Sequence, residues 1–388
     1  MEPVLRISGR GALAITLDGL TSGQTAVFDS IIRSSEIGAG SDPAPIFFST
    51  QHDTTAGNSP PAITLTGNPG RLRKLFSLLA ADHRIPSSLS QKVYSLLDNY
   101  LRSDYKIDCR GKVLDLGSRT HLMGILNVTP DSFSDGGRYA DAEQALAHAR
   151  DMAAAGADII DIGGESTRPG AAPLAREEEL RRIIPLIERL SAELAVPISV
   201  DTYKSSVAKK AIEAGASIVN DISGLRFSHD MANVVADSGA AVVIMHIKGT
   251  PRDMQQNPVY DDVVGEVIAN LEEGIEIALK AGVDREKILI DPGIGFGKTL
   301  AHNLVILNRL EEFRALGRPI LLGPSRKKFI GTILGVPVPE QRVDGTAATV
   351  ALGIERGASI LRVHDVARMA QVAKVTDAIV RSVQGTKY

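Results

Sequence analysis

From His121 onward the sequence alternates short apolar segments with longer amphipathic ones, and this alternation constrains the fold more than any other feature. Eight apolar segments predict β-strands, and each is followed by a stretch with helical spacing of apolar residues. The predicted strands end near Asn127, Asp161, Asp201, Asp221, Met245, Asp291, Gly323 and Val363. Strands that alternate with helices form a parallel sheet, and eight such units are the number that closes an α/β barrel.

The helical segments can be recognised independently of the strands. One stripe of the segment 176–194 carries Leu180, Ile183, Ile184, Ile187 and Leu190. A final helix is predicted from Asp365 to about Val383. A doubly wound open sheet also alternates strands and helices. Eight units with polar residues at nearly every strand end favour a (β/α)8 TIM barrel instead.

Residues 1–106 lack this rhythm. Gly, Ser, Thr and Pro cluster at 38–45 and 54–61, which is typical of loops, while helical spacing appears over 71–81 and 88–101. We therefore expect a smaller N-terminal region over 1–106, α/β in class and of unknown role, followed by the barrel over 107–388.

Composition excludes several functional classes. The net charge is −3 with both signs interspersed, so the chain lacks the basic surface that nucleic-acid binding requires. Cys109 is the only cysteine, which excludes an intrachain disulfide and a Cys-rich metal site. The N-terminus does not resemble a secretory signal, and no apolar run approaches the roughly 20 residues of a membrane helix. We expect a cytoplasmic protein without nucleic-acid or membrane partners.

Three polar residues are predicted to converge on one end of the barrel. Asp201, Asn220 and Asp291 each end a strand, and the carboxyl ends of parallel barrel strands surround a common mouth. Two carboxylates and an amide can pair with the donors and carbonyl of a 2-amino-4-oxo-pyrimidine edge. The alternative is that each caps the following helix. Capping explains Asp291 least, because Pro292 and Gly293 follow it.

Cations follow the two last strands. Arg326, Lys327, Arg362 and His364 lie where barrels commonly bind phosphate, which predicts a site for a diphosphate group. The alternative is that they are solvated surface charges. Arg362 directly follows an apolar strand, which favours a bound partner.

Two early loops could complete the mouth. The segment 127–137 (NVTPDSFSDGG) reads as a polar cover, although its residue types also make ordinary turns. The segment 163–170 (GGESTRPG) could bind an anion or an aromatic amine, or could be a surface turn. The run 293–299 (GIGFGKT) ends like a phosphate-binding loop, but Pro292 stands where that motif needs its first glycine.

Eight strings together resemble the serial motifs of dihydropteroate synthases. In chain order they are MGILNVTPDSFSDGG, DIGGESTRPGA, ISVDTYK, VNDISG, MHIKGTP, DPGIGFGK, GPSRKKFIG and LRVHDV. The resemblance covers about residues 121–366 and leaves the first hundred or so residues unmatched.

The resemblance implies a role for each matching residue. The pterin-binding set would be Asp201, Asn220, Asp291 and Lys327, with Met245 below the ring. The diphosphate would be bound by Arg362 and His364, and by Mg²⁺ with help from Asn127. The 4-aminobenzoate and anion pockets would be lined by Thr167, Arg168, Pro169, Ser325 and Lys327, with Phe296 against the ring. The catalytic residues would be Asp135, Lys327, Arg362 and His364.

The reaction implied by the resemblance is the loss of diphosphate from a pterin methylene group and the capture of the resulting cation by 4-aminobenzoate. It needs no covalent enzyme nucleophile, because the charges of the site stabilise both the cation and the departing oxygens. The resemblance also implies a homodimer through the late barrel helices and sensitivity to sulfonamides. Two alternatives stay open at this stage, namely a pterin-dependent methyltransferase and a catalytically silent paralogue.

Overall fold

The computed structural model describes residues 4–8, 13–18, 20–34, 47–51, 62–128, 137–168 and 170–382. The chain forms two compact units. One comprises Met1–Arg102 together with Glu311–Gly317, and the other comprises Ser103–Leu310 and Arg318–Tyr388. The predicted domain limit at residue 106 stays a prediction.

Within its described residues, the first unit contains a four-stranded antiparallel sheet and three α-helices. Its strands are β1 (Val4–Ser8), β2 (Leu13–Asp18), β3 (Phe47–Gln51) and β4 (Ala62–Gly67), in the spatial order β1-β2-β4-β3. Its helices are α1 (Ser22–Ser34), α2 (Pro69–Ala81) and α3 (Ser87–Leu101). Helix α2 begins with the Asn68 side chain accepting a hydrogen bond from the Gly70 amide. The two helices predicted here from apolar spacing, over 71–81 and 88–101, correspond to α2 and α3.

The second unit opens with a hairpin that closes one end of the barrel. Strands β5 (Lys106–Cys109) and β6 (Lys112–Asp115) pair across a two-residue turn, where Arg110 and Gly111 have φ values of 54° and 93°. Tyr105, Ile107 and Leu114 share one apolar core with residues at the beginnings of the barrel strands, such as Ile159. The opposite end, where the strands finish, is therefore the open mouth.

Eight parallel strands form a closed barrel, which confirms the predicted fold. They are β7 (His121–Asn127), β8 (Ile159–Gly163), β9 (Ile198–Asp201), β10 (Ile218–Asp221), β11 (Ala241–Met245), β12 (Ile288–Asp291), β13 (Ile320–Leu322) and β14 (Ala358–Val363). Six strands end at the predicted residue. Strand β8 runs two residues further, and β13 stops one residue earlier.

The helices of this unit are α4 (Gly137–Ala154), α5 (Arg176–Glu193), α6 (Ser205–Glu213), α7 (Met231–Ser238), α8 (Val263–Lys280), α9 (Leu300–Asn308), α10 (Lys328–Leu334), α11 (Val343–Glu355) and α12 (Val366–Ser382). Short 3-10 helices of this unit span Arg285–Lys287 and Pro339–Arg342, and a further one, Leu310–Leu316, lies almost wholly in the segment that belongs to the first unit. Helix α5 buries Ile183, Ile187 and Leu190 of the predicted stripe, and it also buries the charged Glu179. Among the residues described, no helix is both long and apolar enough to cross a membrane.

The strand register places four residues in one row at the mouth. Asn127 of β7 pairs with Gly163 of β8, Gly163 with Asp201 of β9, and Asp201 with Asn220 of β10. Neighbours in such a row face the same side of a sheet, so the fold alone brings these positions together.

Candidate active site at the barrel mouth

A buried carboxylate from β8 joins residues of two other strands. Asp161 Oδ2 accepts hydrogen bonds from Arg362 Nε at 2.6 Å and from Asn220 Nδ2 at 3.2 Å. The same guanidinium donates from its terminal NH2 nitrogen to Asp201 Oδ2 at 2.7 Å. Burial alone would lower the pKa of Arg362, but the charges of Asp161 and Asp201 raise it. Three predicted site residues, Asp201, Asn220 and Arg362, are thus brought together.

Two carboxylate oxygens of this cluster are buried without a hydrogen-bond partner among the described residues. They are Oδ1 of Asp161 and Oδ1 of Asp201. Burial raises the pKa of Asp201 to about 7; Arg362 lowers it and Asp161 raises it further. Buried acceptors without donors are costly unless a ligand supplies the donors. The Asp201 carboxylate is therefore suited to a ligand that carries N–H groups.

Gly163 opens a gap in the polar row. A Cβ atom built on Gly163 would lie 3.7 Å from Asn127 Oδ1, 3.7 Å from Asp201 Oδ2 and 3.5 Å from Asp201 Cβ. The missing side chain therefore leaves space between an amide oxygen and a carboxylate oxygen. Asn127 itself is half-buried at the end of its strand.

The loop after β12 fixes a second carboxylate. The Gly293 amide donates to Asp291 Oδ1 at 2.7 Å, and burial raises the pKa of Asp291. Gly293 has a φ of +69°, and a Cβ there would lie 1.9 Å from the carbonyl oxygen of His246. Only glycine fits this close approach. Met245, which is buried, pairs with Asp291 in the strand register, so both residues belong to the mouth.

Lys327 and Phe296 lie against each other. The Lys327 ammonium is 4.2 Å from the centre of the Phe296 ring. Burial lowers the pKa of Lys327 to about 8, and the charge of Arg362 lowers it too, whereas Asp291 and Asp201 raise it. Lys327 therefore lies within the electrostatic reach of both carboxylates and of the guanidinium.

The remaining late-loop residues form two separate contacts. Ser325 Oγ accepts from the His364 amide at 3.1 Å and lies 2.9 Å from His364 Nδ1. Burial lowers the pKa of His364 to about 3, as do the charges of Arg326 and Arg362. Arg326 instead makes a two-bond ion pair with Asp365, at 3.0 and 2.7 Å. The charge of the Arg326 guanidinium is therefore paired with Asp365 without a ligand.

The predicted residues of the loop after β8 take no part in these contacts among the described residues. Thr167 is half-buried and Arg168 is exposed. Among the described residues, neither side chain hydrogen-bonds to another residue of the predicted set. Asp135 and Pro169, also predicted for the site, lie outside the described residues.

Sequence reasoning assigned no role to two lysines near the mouth, of which Lys298 is buried and Lys204 is half-buried. Lys298 Nζ lies 2.8 Å from His246 Nδ1 and donates to the Phe296 carbonyl at 3.0 Å. Lys204 forms ion pairs with Glu165 and with Glu179, the latter at 2.5 Å. The one indication in the sequence was that Lys298 and Lys204 lie in polar loops that follow predicted strands.

The mouth thus combines hydrogen-bond acceptors for a donor-rich heterocycle with cations that can stabilise an anionic leaving group. Asp201 and Asp291 are the buried carboxylates with raised pKa values, and Lys327 and Arg362 are the adjacent cations. This arrangement favours a reaction in which an anion leaves a carbon centre that becomes positively charged. The carboxylates stabilise the positive charge, and the cations stabilise the departing anion.

Comparisons with known proteins agree with this geometry. Residues 123–364 match the family model described as pterin binding enzyme. The dihydropteroate synthase of Bacillus subtilis (strain 168) is 51% identical over 70% of this chain and 93% of its own length. The structure of the Xanthomonas albilineans dihydropteroate synthase in complex with 7,8-dihydropteroate is 46% identical, covers 73% of this chain and 100% of that chain, and has a TM-score of 0.65.

A Yersinia pestis dihydropteroate synthase, solved with a sulfonamide drug complex, is 45% identical over 71% of this chain and 99% of that chain, with a TM-score of 0.68. The family match spans more than half of the chain, and the Bacillus subtilis relative is matched over nearly its whole length. The chain therefore belongs to the pterin-binding enzymes and, within them, to the dihydropteroate synthases.

Proposed function

We infer that this chain joins 6-hydroxymethyl-7,8-dihydropterin diphosphate to 4-aminobenzoate and releases 7,8-dihydropteroate and diphosphate. The observation that carries the inference is the joint presence, at one barrel mouth, of the acceptors Asp201, Asn220 and Asp291, the cations Lys327 and Arg362, and the neutral donor His364. The identity of 51% to a dihydropteroate synthase supports the same reaction.

The pterin would bind at the acceptor set. Asp201 has a buried oxygen, Oδ1, that makes no hydrogen bond within the described residues, and it can accept from the pterin N–H groups. Asp291 is held in orientation by the Gly293 amide, so its carboxylate is preorganised. Met245 supplies an apolar surface below the ring.

The diphosphate would bind on the cation side of the mouth. Arg362 is held between two carboxylates, and Lys327 is close enough for its pKa to respond to Arg362. His364, oriented by Ser325, can donate a hydrogen bond from the ring nitrogen that does not face the serine. These groups stabilise the oxygens that gain charge as the C–O bond breaks.

The second substrate would occupy the outer part of the mouth. Phe296 offers a ring face beside the Lys327 ammonium, which suits an aromatic carboxylate. Thr167, Arg168, Pro169 and Ser325 are proposed to line this pocket. A sulfonamide resembles 4-aminobenzoate in shape and charge, and we propose that it competes there.

The bond changes balance without an enzyme-bound intermediate. The bond between the pterin methylene carbon and the diphosphate oxygen breaks, and its electron pair leaves with diphosphate. The amine nitrogen of 4-aminobenzoate then forms the new C–N bond and loses one proton to an acceptor such as Asp135 or water. Lys327, Arg362 and His364 act by stabilising charge.

Mg²⁺ is proposed as the metal cofactor. The described residues contain no group of three His, Cys, Asp or Glu side chains that could hold a metal ion alone. Mg²⁺ commonly binds through one or two protein oxygens plus substrate phosphates and waters, so the oxygen of Asn127 beside the Gly163 gap fits this mode. The bound ion would neutralise charge on the diphosphate. We expect Asn127→Ala to raise the Mg²⁺ concentration for half-maximal rate, whereas exposed Asn233→Ala leaves it unchanged.

A homodimer is proposed through the late barrel helices. Helices α9, α10 and α11 form an apolar groove of about 360 Å³. Its rim carries Leu304, Ile333 and Leu334, which are 42%, 56% and 51% exposed. Exposed apolar groups of this kind commonly mark an interface, and a two-fold dimer is the usual assembly of soluble enzymes.

Sedimentation of the full chain tests the dimer. Ile333→Asp should shift the protein toward the monomer, because it places a charge in the proposed interface. Val259→Asp changes an apolar residue that is also exposed, at 60%, and should leave the assembly unchanged. A wild-type protein that sediments as a monomer would overturn this assembly.

The lone cysteine, Cys109, is buried, which suits the reducing cytoplasm that we propose as the location. We propose that residues 1–102, the larger part of the predicted extension over 1–106, form a domain that is not part of the catalytic barrel. A variant that begins at residue 103 should keep the activity if this division is right.

The function is tested with the purified full chain, both substrates and Mg²⁺. We expect dihydropteroate and diphosphate in equal amounts, and a loss of at least roughly a hundredfold in kcat for Arg362→Ala. Arg189→Ala removes an exposed ion pair with Glu143 and should keep the wild-type rate. Absence of dihydropteroate at any Mg²⁺ concentration would contradict the assignment.

A further inference from the structure

Asp161 occupies a central position in the mouth that the predicted site did not include. Strand β8 lies two strands from β14 on one side and two strands from β10 on the other. A single oxygen of Asp161, Oδ2, nevertheless contacts Arg362 of β14 and Asn220 of β10. Asp161 is completely buried, so it connects both residues from below the mouth.

The contact with Asn220 determines which end of that amide faces a ligand. A carboxylate oxygen is an acceptor, so Asn220 must turn its NH2 group toward Asp161. Its Oδ1 is then the atom left for a ligand. A pterin edge is rich in N–H donors, and an acceptor is the group it needs. A reversed amide would present a donor to these donors.

The contact with Arg362 fixes the guanidinium from its Nε side. The terminal nitrogen that bonds to Asp201 is then aimed across the mouth. If a ligand hydrogen-bonds to Asp201 and displaces Arg362 from it, Arg362 still keeps its hydrogen bond to Asp161. The guanidinium would therefore keep its place while its outer nitrogens turn to a new anion.

Asp161 also differs from a buried carboxylate with a purely structural role. Asp221, on the neighbouring part of the barrel, bonds to two backbone amides and to the Ser223 hydroxyl. The Asp161 side chain accepts no hydrogen bond from a backbone amide among the described residues, and its Oδ1 has no partner there. Burying a carboxylate with an unpaired oxygen costs folding free energy, which indicates that Asp161 has a role other than stabilising the fold.

We propose that Asp161 is a positioning residue of the dihydropteroate synthase reaction, which fixes the amide orientation of Asn220 and the guanidinium of Arg362. This proposal rests on the function inferred above. Asp161 would not touch either substrate, and its effect would appear through the binding of the pterin diphosphate.

Steady-state kinetics of Asp161→Asn test this role, because asparagine can offer either a donor or an acceptor to Asn220. We expect the KM for the pterin diphosphate to rise by roughly ten- to a hundredfold, since a hydrogen-bond set to a charged group is lost. The KM for 4-aminobenzoate should stay within about twofold, because that pocket is not touched. Unchanged KM for the pterin substrate would overturn the proposal.

A matched control lies at the other end of the same strand. Asp158 directly precedes this strand and, like Asp161, pairs with an arginine, Arg119; it lies away from the mouth and also accepts from the Leu122 amide. Asp158→Asn should lower the unfolding temperature without changing either KM. If Asp161→Asn behaves in the same way, its role is structural and the proposal fails.

A double-mutant cycle separates positioning from general disruption. In an Asn220→Ala background the Asp161→Asn change should affect pterin KM at least about fivefold less than in the wild type, because one of its two targets is gone and only the effect through Arg362 remains. Equal effects in both backgrounds would contradict action through Asn220. A wild type that makes no dihydropteroate would refute the proposed function itself. An active wild type whose pterin KM does not change on Asp161→Asn would refute only the role of Asp161.

Discussion

The ammonium of Lys298 lies 2.8 Å from Nδ1 of His246, and both side chains are buried below the loop that follows β12. Because an ammonium only donates, His246 must accept at Nδ1 and is neutral. Burial and the charge of Lys298 lower the pKa of His246 to about 2. Burial also lowers the pKa of Lys298, to about 7. The pair supports the loop from beneath, since Lys298 also donates to the Phe296 carbonyl.

Lys298→Met should weaken the binding of 4-aminobenzoate. The Phe296 carbonyl loses its donor, so the ring beside Lys327 is held less firmly, and we expect the KM for 4-aminobenzoate to rise by about tenfold. The lost hydrogen bonds should also cost about 1–3 kcal/mol in the free energy of unfolding. Steady-state kinetics and urea denaturation measure both. The control is Lys280→Met, which removes an exposed pair with Glu276 on α8. An unchanged 4-aminobenzoate KM would refute the positioning of Phe296 by Lys298.

His246 should make the fold sensitive to acid. Its pKa is lowered in the folded state, so the unfolded chain takes up the proton first as the pH falls through the usual value of 6.5. This contribution to stability is present above pH 6.5 and is lost as the pH falls below it. Between pH 7 and pH 5 the loss amounts to about 2 kcal/mol for this one group.

His246→Gln isolates this effect, because glutamine can still accept from Lys298 but does not titrate. The free energy of unfolding of the wild type should fall more steeply between pH 7 and pH 5 than that of the variant. Asp201, Asp221 and Asp291 have raised pKa values and act in the opposite direction, but they are common to both proteins. Parallel pH dependences would show that His246 does not carry the effect.

The barrel and most of the polar residues at its mouth could be predicted from the sequence. Strand ends could be predicted because a parallel strand is a short apolar run, and polar residues stop it at the mouth. Asp201, Asn220 and Asp291 could be selected because strand ends converge in a closed barrel. These are consequences of local pattern and topology, and they need no knowledge of side-chain partners.

Buried charges could not be predicted in this way. Glu179 lies on the buried face of α5 because Lys204, from the loop after β9, reaches it, and no spacing within the helix reveals that partner. Asp161 and Lys298 were visible only as polar residues near strand ends. The β5–β6 hairpin was missed because two four-residue strands give too short an alternation, although Gly111 marks the turn.

The pH dependence of kcat/KM for the pterin diphosphate should reflect two groups of the free enzyme. Asp201 must be ionised to accept from the pterin, and its pKa of about 7 places an acid limb there. Lys327 must be protonated to stabilise the leaving group, and its pKa of about 8 places an alkaline limb there. The rate constant should therefore be highest near pH 7 to 8 and fall on either side.

Lys327→Arg tests the alkaline limb. A guanidinium stays protonated far above pH 8, so the variant should keep its residual activity to higher pH. The alkaline side is the informative one, because the phosphate groups of the substrate titrate near pH 6 and contribute to the acid side. An alkaline limb that does not move in the variant would exclude Lys327 as its origin.

Gly163 and Gly164 are adjacent glycines for which the structure predicts opposite effects of substitution. At Gly163 a methyl group meets only ordinary van der Waals contacts, at 3.5 Å or more, but it enters the gap between Asn127 and Asp201. At Gly164 a methyl group would lie 2.9 Å from Ile183 Cγ2 and 3.2 Å from Glu179 Cγ, against the core face of α5. A side chain at Gly163 would therefore interfere with ligand binding, whereas a side chain at Gly164 would interfere with core packing.

We expect Gly163→Ala to keep or slightly increase the unfolding temperature, since alanine restricts the unfolded chain. Its kcat/KM for the pterin diphosphate should fall by roughly tenfold or more, with a higher Mg²⁺ requirement, because the methyl group occupies the space proposed for the ion and the diphosphate. Gly163→Val should lose activity further. Gly164→Ala should instead lower the unfolding temperature by several degrees, from about 1–3 kcal/mol of overpacking, with an unchanged Mg²⁺ requirement. If both alanine variants showed the same Mg²⁺ dependence as the wild type, the gap beside Asn127 would not be the place where the metal and the diphosphate bind.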